Sequence, residues 1–552
     1  MNRNASVACC ALVALFLAAV LNAQTVKVAA VQFGPVEGNP TINRQKLVQL
    51  TTQAAQAGAK IVVHTEMATS GYSFFSRQQI SGVAEPIPGP STAAIGAVAK
   101  QYQIYVAFGL PEYDANTNLY YNSVALMGPD GNVAGVYRKR NNLLEASYNA
   151  EVWSSVPTFD TPYGRIGIVI CADMFYDSFA RLAALEGINI LLAPANVGIT
   201  TDFMSVRTWE NNFSMVVANR WGTGGKGSKP TYFNQDSFTI PSPFPYSFTY
   251  DNRSVIMSYT GAVLSEFMGQ QDNIGYGDLP IRTTRTLPVV RRPSLYSLIG
   301  QDTLEPYTFT QFGLPAPATF AVAGVDPGPS STPWSAALTA VQNALNTATQ
   351  QGYTLRLVTL PSNYFQTPDP TGMANLQAFA TTNKVDVLAE FGGSTPPVST
   401  LIASDGQLYS YSRTHRLRTE MIPDSSLSQY YWVVDRDYAR VAILQDVDLM
   451  LPETSQVMQK LGVDIVAMNS DTTLSVVSAM WKSRSADYYN IVEANRSGVE
   501  GVYLGGYPSG PQFVEGNGLA LMQLNTASVR NKKESRFLDF TKLLQPCSGN
   551  NC

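Results

Sequence analysis

Three side chains in this 552-residue chain could together attack an acyl carbon: a carboxylate at Glu66, an ammonium at Lys139 and a thiol at Cys171. A thiol attacks a carbonyl or nitrile carbon only as its thiolate, so something must take its proton. The chain has only two histidines, His64 and His415. That excludes most histidine-based schemes and any multi-histidine metal site. A carboxylate can serve as the base instead, and a nearby ammonium can stabilise first the thiolate and then a tetrahedral oxyanion. No cofactor is required. Each residue also has a plain structural reading: Glu66 as a strand-end charge, Lys139 as a basic hairpin end, Cys171 as core packing. His64 lies two residues before Glu66, on the same side of a strand, and reads as a packed histidine or as support for Glu66.

The elements around these residues alternate in type. Val26–Phe33, Lys60–Glu66, Ile104–Leu110, Tyr121–Met127, Gly131–Arg138, Ile166–Cys171 and Ile188–Ala193 read as strands. Asn43–Ala57, Ala93–Tyr102 and Ser178–Glu186 carry helical spacing. Gly128-Pro-Asp-Gly131 marks a hairpin. Apolar strands alternating with helices predict a layered α/β sheet. Glu66, Lys139 and Cys171 each fall at the end of a strand, where a shared site can form.

The chain is also a duplication. Val26 to Glu66 aligns without gaps on Phe320 to Leu360. Arg165 to Pro194 aligns on Arg440 to Asn469, and Ala218-Asn-Arg220 recurs as Ala494-Asn-Arg496. Agreement in several stretches in the same order indicates two copies of one fold. The counterparts of Glu66, Lys139 and Cys171 are Leu360, Arg413 and Asp446, so the second copy lacks both base and nucleophile. The expected boundaries are a leader over 1–23, a chemistry-bearing domain over 24–280, a Pro- and Thr-rich linker over 281–318, a degenerate copy over 319–530 and a tail over 531–552.

Composition narrows the setting. Charged residues are 14% and net charge is −4, against a typical quarter or so of charged residues. Nucleic acid is not an expected partner. Met1-Asn-Arg-Asn, an apolar run from Val7 to Val20 and Ala23 read as a signal peptide, and no later stretch would span a bilayer. The expectation is a protein in the secretory route, secreted or lysosomal/vacuolar. Of the 5 cysteines, Cys9 and Cys10 would leave with the leader. Cys547 and Cys552 could pair, leaving Cys171 as a free thiol that needs a reason. Sequons at Asn212, Asn252 and Asn495 mark candidate glycan sites, Asn252 with the best loop context.

Taken in order, Val62-Val-His-Thr-Glu66, Tyr137-Arg-Lys139 and Ile170-Cys-Ala-Asp173 resemble the three marks of the nitrilase, or carbon–nitrogen hydrolase, superfamily. Tyr121-Asn-Ser-Val124 and Pro129-Asp-Gly131 match its hairpin. The resemblance covers residues 26 to about 280 and implies an αββα sandwich, here duplicated in tandem with a degenerate second copy. It implies cysteine-dependent hydrolysis of a small non-peptide amide or a nitrile, with Glu66 as base, Lys139 and the N–H of Ala172 or Asp173 as oxyanion donors, and Cys171 as nucleophile. Family members often carry a second glutamate; Glu145 is the best positional match and Glu151 the alternate. Tyr72, Ala172, Phe175 and Asn196 follow catalytic strand ends and are candidate pocket residues. Asp173 is read as orienting the cysteine loop or capping the next helix. Thr65, where the family often has proline, and Ala172, where it often has a bulky residue, depart from the pattern. Such proteins commonly dimerise through the face near the cysteine helix, so the second copy is expected to supply that surface as an intramolecular pseudo-dimer. A leader, a nitrilase-like domain and a further domain, with Tyr137, Lys139, Asn141 and Leu143 in spacing, also resemble the vanin and biotinidase group, which implies a pantetheine- or biotinyl-type amide. The competing readings are a catalytically inactive binding or surface protein and an acyltransferase.

Overall fold

The computed structural model describes residues 24–530 apart from 75, 143–144, 146–147, 151, 153–155, 199, 226–246, 283, 301–312, 475, 486–488, 497–499 and 506–511, and it also describes 541–545. The expected leader, Glu151, Cys547 and Cys552 lie outside the described residues. The chain divides into two compact units, one ending at Arg285 and the next beginning at Thr286.

In the first unit, β1 (Thr25–Gln32), β2 (Ile61–Val63), β3 (Tyr105–Asp114), β4 (Leu119–Met127) and β5 (Val133–Arg138) form one sheet. It is closed at the other edge by the returning strand Asn273–Pro280, antiparallel to β1. A second six-stranded sheet runs from β6 (Thr158–Thr161) through β7 (Gly164–Ile168), β8 (Ile190–Ala195) and β9 (Ser214–Asn219) to Ser254–Met257 and Val263–Phe267. The period of two along β1 explains the layering. Val28 and Ala30 face Ile168, Leu192 and Val216 in the core between the sheets. Ala29 and Val31 face the other way, onto Leu47, Leu50, Ala54, Ile95 and Ala99 of the helices α1 (Pro40–Gln56) and α2 (Pro90–Tyr102). Helix α1 starts where Asn39 accepts from the Ile42 N–H at 3.1 Å, with Pro40 as the first helical residue. On the second sheet the helices are α3 (Asp177–Leu185) and α4 (Thr201–Asn211). This is an αββα sandwich.

The second unit repeats it, with sheets running from Thr319–Val325 outward and from Trp432–Asp435 to Phe513–Gly516. Helices Pro333–Gln350 and Pro370–Asn383 pack on the first of these through Trp334, Val341, Leu376 and Phe379. A Cβ at Gly324 would collide with the Glu493 carbonyl oxygen, so only glycine lets the two sheets meet there.

Four local readings differ from expectation. The strand before the nucleophile stops at Ile168, and Cys171 opens a 3₁₀ turn with φ of 50°. The strand before Glu66 ends at Val63, so the carboxylate sits in the following turn. Helix α4 has no clear apolar stripe and was not expected; Thr200 caps it by accepting from Phe203 N–H at 3.4 Å. Asn252 lies in a connection between strands as expected but is only 6% exposed, whereas Asn495, expected in a structured stretch, is buried at the end of a strand. Within the stretch expected as a linker, Arg285 is buried and donates to the carbonyls of Asn211 and Ala184. Arg291 donates to Glu453 at 2.6 Å. Proline and threonine content marks this stretch as irregular, but its arginines tie it down.

Candidate active site

At the ends of β2 and β5 the first unit buries a charge cluster. Glu66, Lys139 and Glu145 are 0%, 0% and 1% exposed. Lys139 Nζ donates to Glu66 Oε1 at 2.7 Å and also to Glu145 Oε1. The Asn122 amide donates to the same two oxygens, at 2.7 and 2.8 Å. The backbone aligns these donors: Lys139 N–H donates to the Asn122 carbonyl at 2.8 Å, and Asn149 bridges Asn122 N–H and the Lys139 carbonyl. Two carboxylates and one ammonium leave a net charge of −1 if all are ionised, with the amide sharing the load.

Cys171 enters from the other sheet, as a buried free thiol. Its left-handed φ is unusual for a residue with a side chain, and Asp173 is what holds it. The Asp173 carboxylate accepts from Tyr137 OH at 2.7 Å, from Asn141 N–H at 2.9 Å and from Ile170 N–H at 3.2 Å. It thereby ties the cysteine turn to the strand that delivers Lys139. The backbone N–H of Asn196, just past β8, reaches the Cys171 sulfur and favours its ionised form. Asp173, read as loop orienter or helix cap, is the former.

Burial pushes the Glu66 carboxyl up to about 7; Lys139 opposes this and Glu145 adds to it. The Cys171 thiol lies in reach of the Glu66 carboxyl, whose Oε2 has no hydrogen-bond partner. Burial, then the Glu66 charge, holds the Cys171 thiol well above its ordinary range, while Lys139 pulls it down. Burial works against the Lys139 charge, but Glu145 and Glu66 outweigh it and keep the ammonium protonated. The resting site therefore holds a neutral thiol beside a carboxyl poised near neutrality.

Tyr72 lies with its ring 5.6 Å from Lys139 Nζ. It is placed by Glu37, which sequence reasoning missed. Glu37 accepts from Tyr72 N–H at 3.3 Å and Ser73 N–H at 3.1 Å, and pairs with Arg220 at 2.5 Å. Any side chain at Gly71, with φ of 81°, would strike the Glu37 carboxylate. Glu37 is a positioning residue. Glu37→Gln keeps the size but loses the charge opposite Arg220 and one acceptor. It is expected to lower kcat about tenfold or more and destabilise the unit by about 2 kcal/mol. Steady-state kinetics beside urea unfolding would check this, and Glu37→Asp should recover part of kcat.

Of the other expected residues, Ala172 is buried beside the thiol. Phe175 packs edge-on against Phe203, with ring centroids 6.0 Å apart, and so belongs to the contact between the cysteine turn and α4. His64 is neutral, its pKa lowered by burial to about 3, and its Nε2 meets Thr51 Oγ1 at 2.7 Å. It packs against α1. Asn122, Asn149, Glu37 and Arg220 were missed. Their signal is a buried polar side chain with a distant partner, which no local motif marks.

The second unit keeps the frame but carries other side chains at the three positions. Asp448 accepts from Tyr411 OH at 2.8 Å and from Thr414 N–H at 2.8 Å, as Asp173 does from Tyr137 and Asn141. Asp471 N–H reaches Asp446 Oδ2 at 3.3 Å, matching the contact of Asn196 with Cys171. Leu360 is fully buried, Arg413 pairs with Glu420 at 2.7 Å, and burial raises the Asp446 carboxyl to about 7. Among the described residues no group of three or more His, Cys, Asp or Glu could hold a metal ion. No described helix is long and apolar enough to cross a membrane.

A pair of facing sheets with a thiol from one and a Glu–Lys–Glu cluster from the other defines the class. Residues 27–288 match the sequence profile of the carbon–nitrogen hydrolases. The human omega-amidase is 36% identical over 268 residues, covering 45% of this chain and 88% of that protein. A nitrilase of Pyrococcus abyssi is 33% identical over 36% of this chain and 76% of its own length. A citrullinase of Francisella tularensis is 28% identical over 50% and 98%. The chain belongs to the carbon–nitrogen hydrolase family of the nitrilase superfamily, and it is a hydrolase with amidases among its relatives.

Proposed function

We propose that the first unit hydrolyses a non-peptide amide through a thioester on Cys171, with Glu66 as base and Lys139 as the principal oxyanion donor. The observation that carries this is the Glu66 carboxyl: Lys139 holds Oε1, Oε2 is left without a hydrogen bond, and the group lies in reach of the thiol. Ionised Glu66 takes the thiol proton as sulfur bonds to the amide carbon, and the carbonyl electron pair moves onto oxygen. The Lys139 ammonium and the Ala172 N–H hold that oxygen; Asp173 N–H is already donated to the Ile170 carbonyl at 2.9 Å. The oxyanion collapses, the carbon–nitrogen bond breaks, and the amine leaves with the proton Glu66 carried. Water then gives a proton to Glu66 as its oxygen bonds to the thioester carbon. The carbon–sulfur bond breaks, and the thiolate recovers the proton. Glu145 keeps Lys139 charged throughout.

The finer reading is a secreted enzyme acting on a pantetheine- or biotinyl-type amide. The leader-like residues 1–23 and the Tyr137–Leu143 spacing support it. Intact-mass measurement after iodoacetamide treatment tests the site: one label on Cys171, lost in Glu66→Gln and Lys139→Ala, is the expected result. Labelling only after unfolding would sink the proposal. Because the base form of Glu66 is needed and its pKa is raised, kcat/KM should rise with pH through about 7 and then level off. A profile from about pH 5 to about pH 9 that stays flat would remove Glu66 as base.

A further inference from the structure

Asn196 presents an unusual imbalance. It is 6% exposed, and neither Oδ1 nor Nδ2 of its carboxamide has a hydrogen-bond partner. Buried amides are ordinarily paired, because an orphaned donor or acceptor keeps its full desolvation penalty. Its own backbone N–H sits at the Cys171 sulfur, so this carboxamide belongs to the residue next to the reacting atom. In the second unit the same position is Asp471, whose N–H makes the equivalent contact with Asp446; there is no carboxamide there, and no thiol.

The surrounding groups limit what would pair with it. The charges that act on Cys171 are Glu66, Lys139 and Glu145, and Lys139 binds both carboxylates. The other polar side chains near the cluster include Asn122, whose Nδ2 is donated to the carboxylates and whose Oδ1 lacks a partner, and the phenols of Tyr72 and Tyr148, the buried Tyr148 hydroxyl also lacking one. The recognition groups left over are neutral. One side chain offers a donor and an acceptor side by side, which is the complement of another amide.

We propose that Asn196 is a specificity-determining residue whose carboxamide pairs with a second amide or ureide group that the substrate carries within a few bonds of the scissile carbonyl. This rests on the hydrolase reading above. A carboxamide with both ends open is satisfied by such a group in one step, whereas an alkyl chain or a ketone leaves one or both ends orphaned in the closed complex.

The experiment compares three primary amides of equal chain length: N-acetyl-β-alaninamide, 5-oxohexanamide, which lacks the inner N–H, and hexanamide, which lacks the inner donor and acceptor. The full-length enzyme should show kcat/KM for the first about tenfold or more above the other two. In Asn196→Leu, matched in size, and in Asn196→Ser, kept as a second variant in case the first folds poorly, that ratio should fall toward one. Equal kcat/KM for all three amides in the wild type, or a ratio unchanged in both variants, overturns the inference alone. Absence of turnover for every amide, with no acyl-enzyme mass on Cys171 of the wild-type protein, removes the hydrolase reading and this inference with it.

Discussion

Lys139→Met is expected to lower kcat/KM by at least about 10³-fold and to destabilise the first unit by roughly 3–5 kcal/mol. Methionine fills the space of the lysine stem but leaves Glu66 and Glu145 facing each other, both buried and both bonded to the same Nζ in the wild type. The loss of activity has two sources: the oxyanion loses its ammonium, and the base loses the charge that holds its pKa down. The stability loss has a sign that pH reveals. Without Lys139 the Glu66 carboxyl is raised further above its unfolded value. A raised carboxyl costs nothing while protonated in both states, and it costs stability once the unfolded form ionises. The variant should therefore approach the wild type at about pH 4 and fall well below it at about pH 8. Urea unfolding of both proteins at the two pH values checks this. An equal loss at both would mean that packing, not charge, is what Lys139 supplies.

Cys171→Ala should remove turnover almost completely, by about 10⁴-fold or more, with little loss of stability. Alanine loses the thiol's contacts with Glu66 and with the Asn196 N–H, but the turn itself is held by Asp173 through Tyr137, Asn141 and Ile170. The small cavity left costs about 1 kcal/mol. Kinetics on the preferred amide, with thermal unfolding alongside, separates the two effects. Retained turnover would mean that sulfur is not the nucleophile.

The sequence showed these two residues and Glu66 because each was read at a strand end in a pattern of alternating elements, and Glu145 through the family resemblance alone. Apolar periodicity located the strands to within a few residues. It overran at Ile166–Cys171, because a buried turn held by side-chain bonds is as apolar as the strand before it. Helix Thr201–Asn211 was invisible for a related reason: Arg207, Thr208, Glu210 and Asn211 are buried polar residues, so the helix carries no apolar stripe. Glu37, Asn122 and Arg220 were equally silent. Glu37 finds Arg220 183 residues away, and only the folded chain shows that meeting.

The paired aspartates, Asp173 and Asp448, have a consequence for how such a chain can change over generations. In each unit the turn that once needed to be exact for chemistry is fastened by a carboxylate, a tyrosine and backbone N–H groups, none of which is the reacting atom. The nucleophile and base positions can therefore carry other residues, and the lysine position an arginine, without loosening the architecture, as Asp446, Leu360 and Arg413 show. The fastening is inherited separately from the activity. A half-molecule without those side chains keeps its fastened turn, open to selection for some other use.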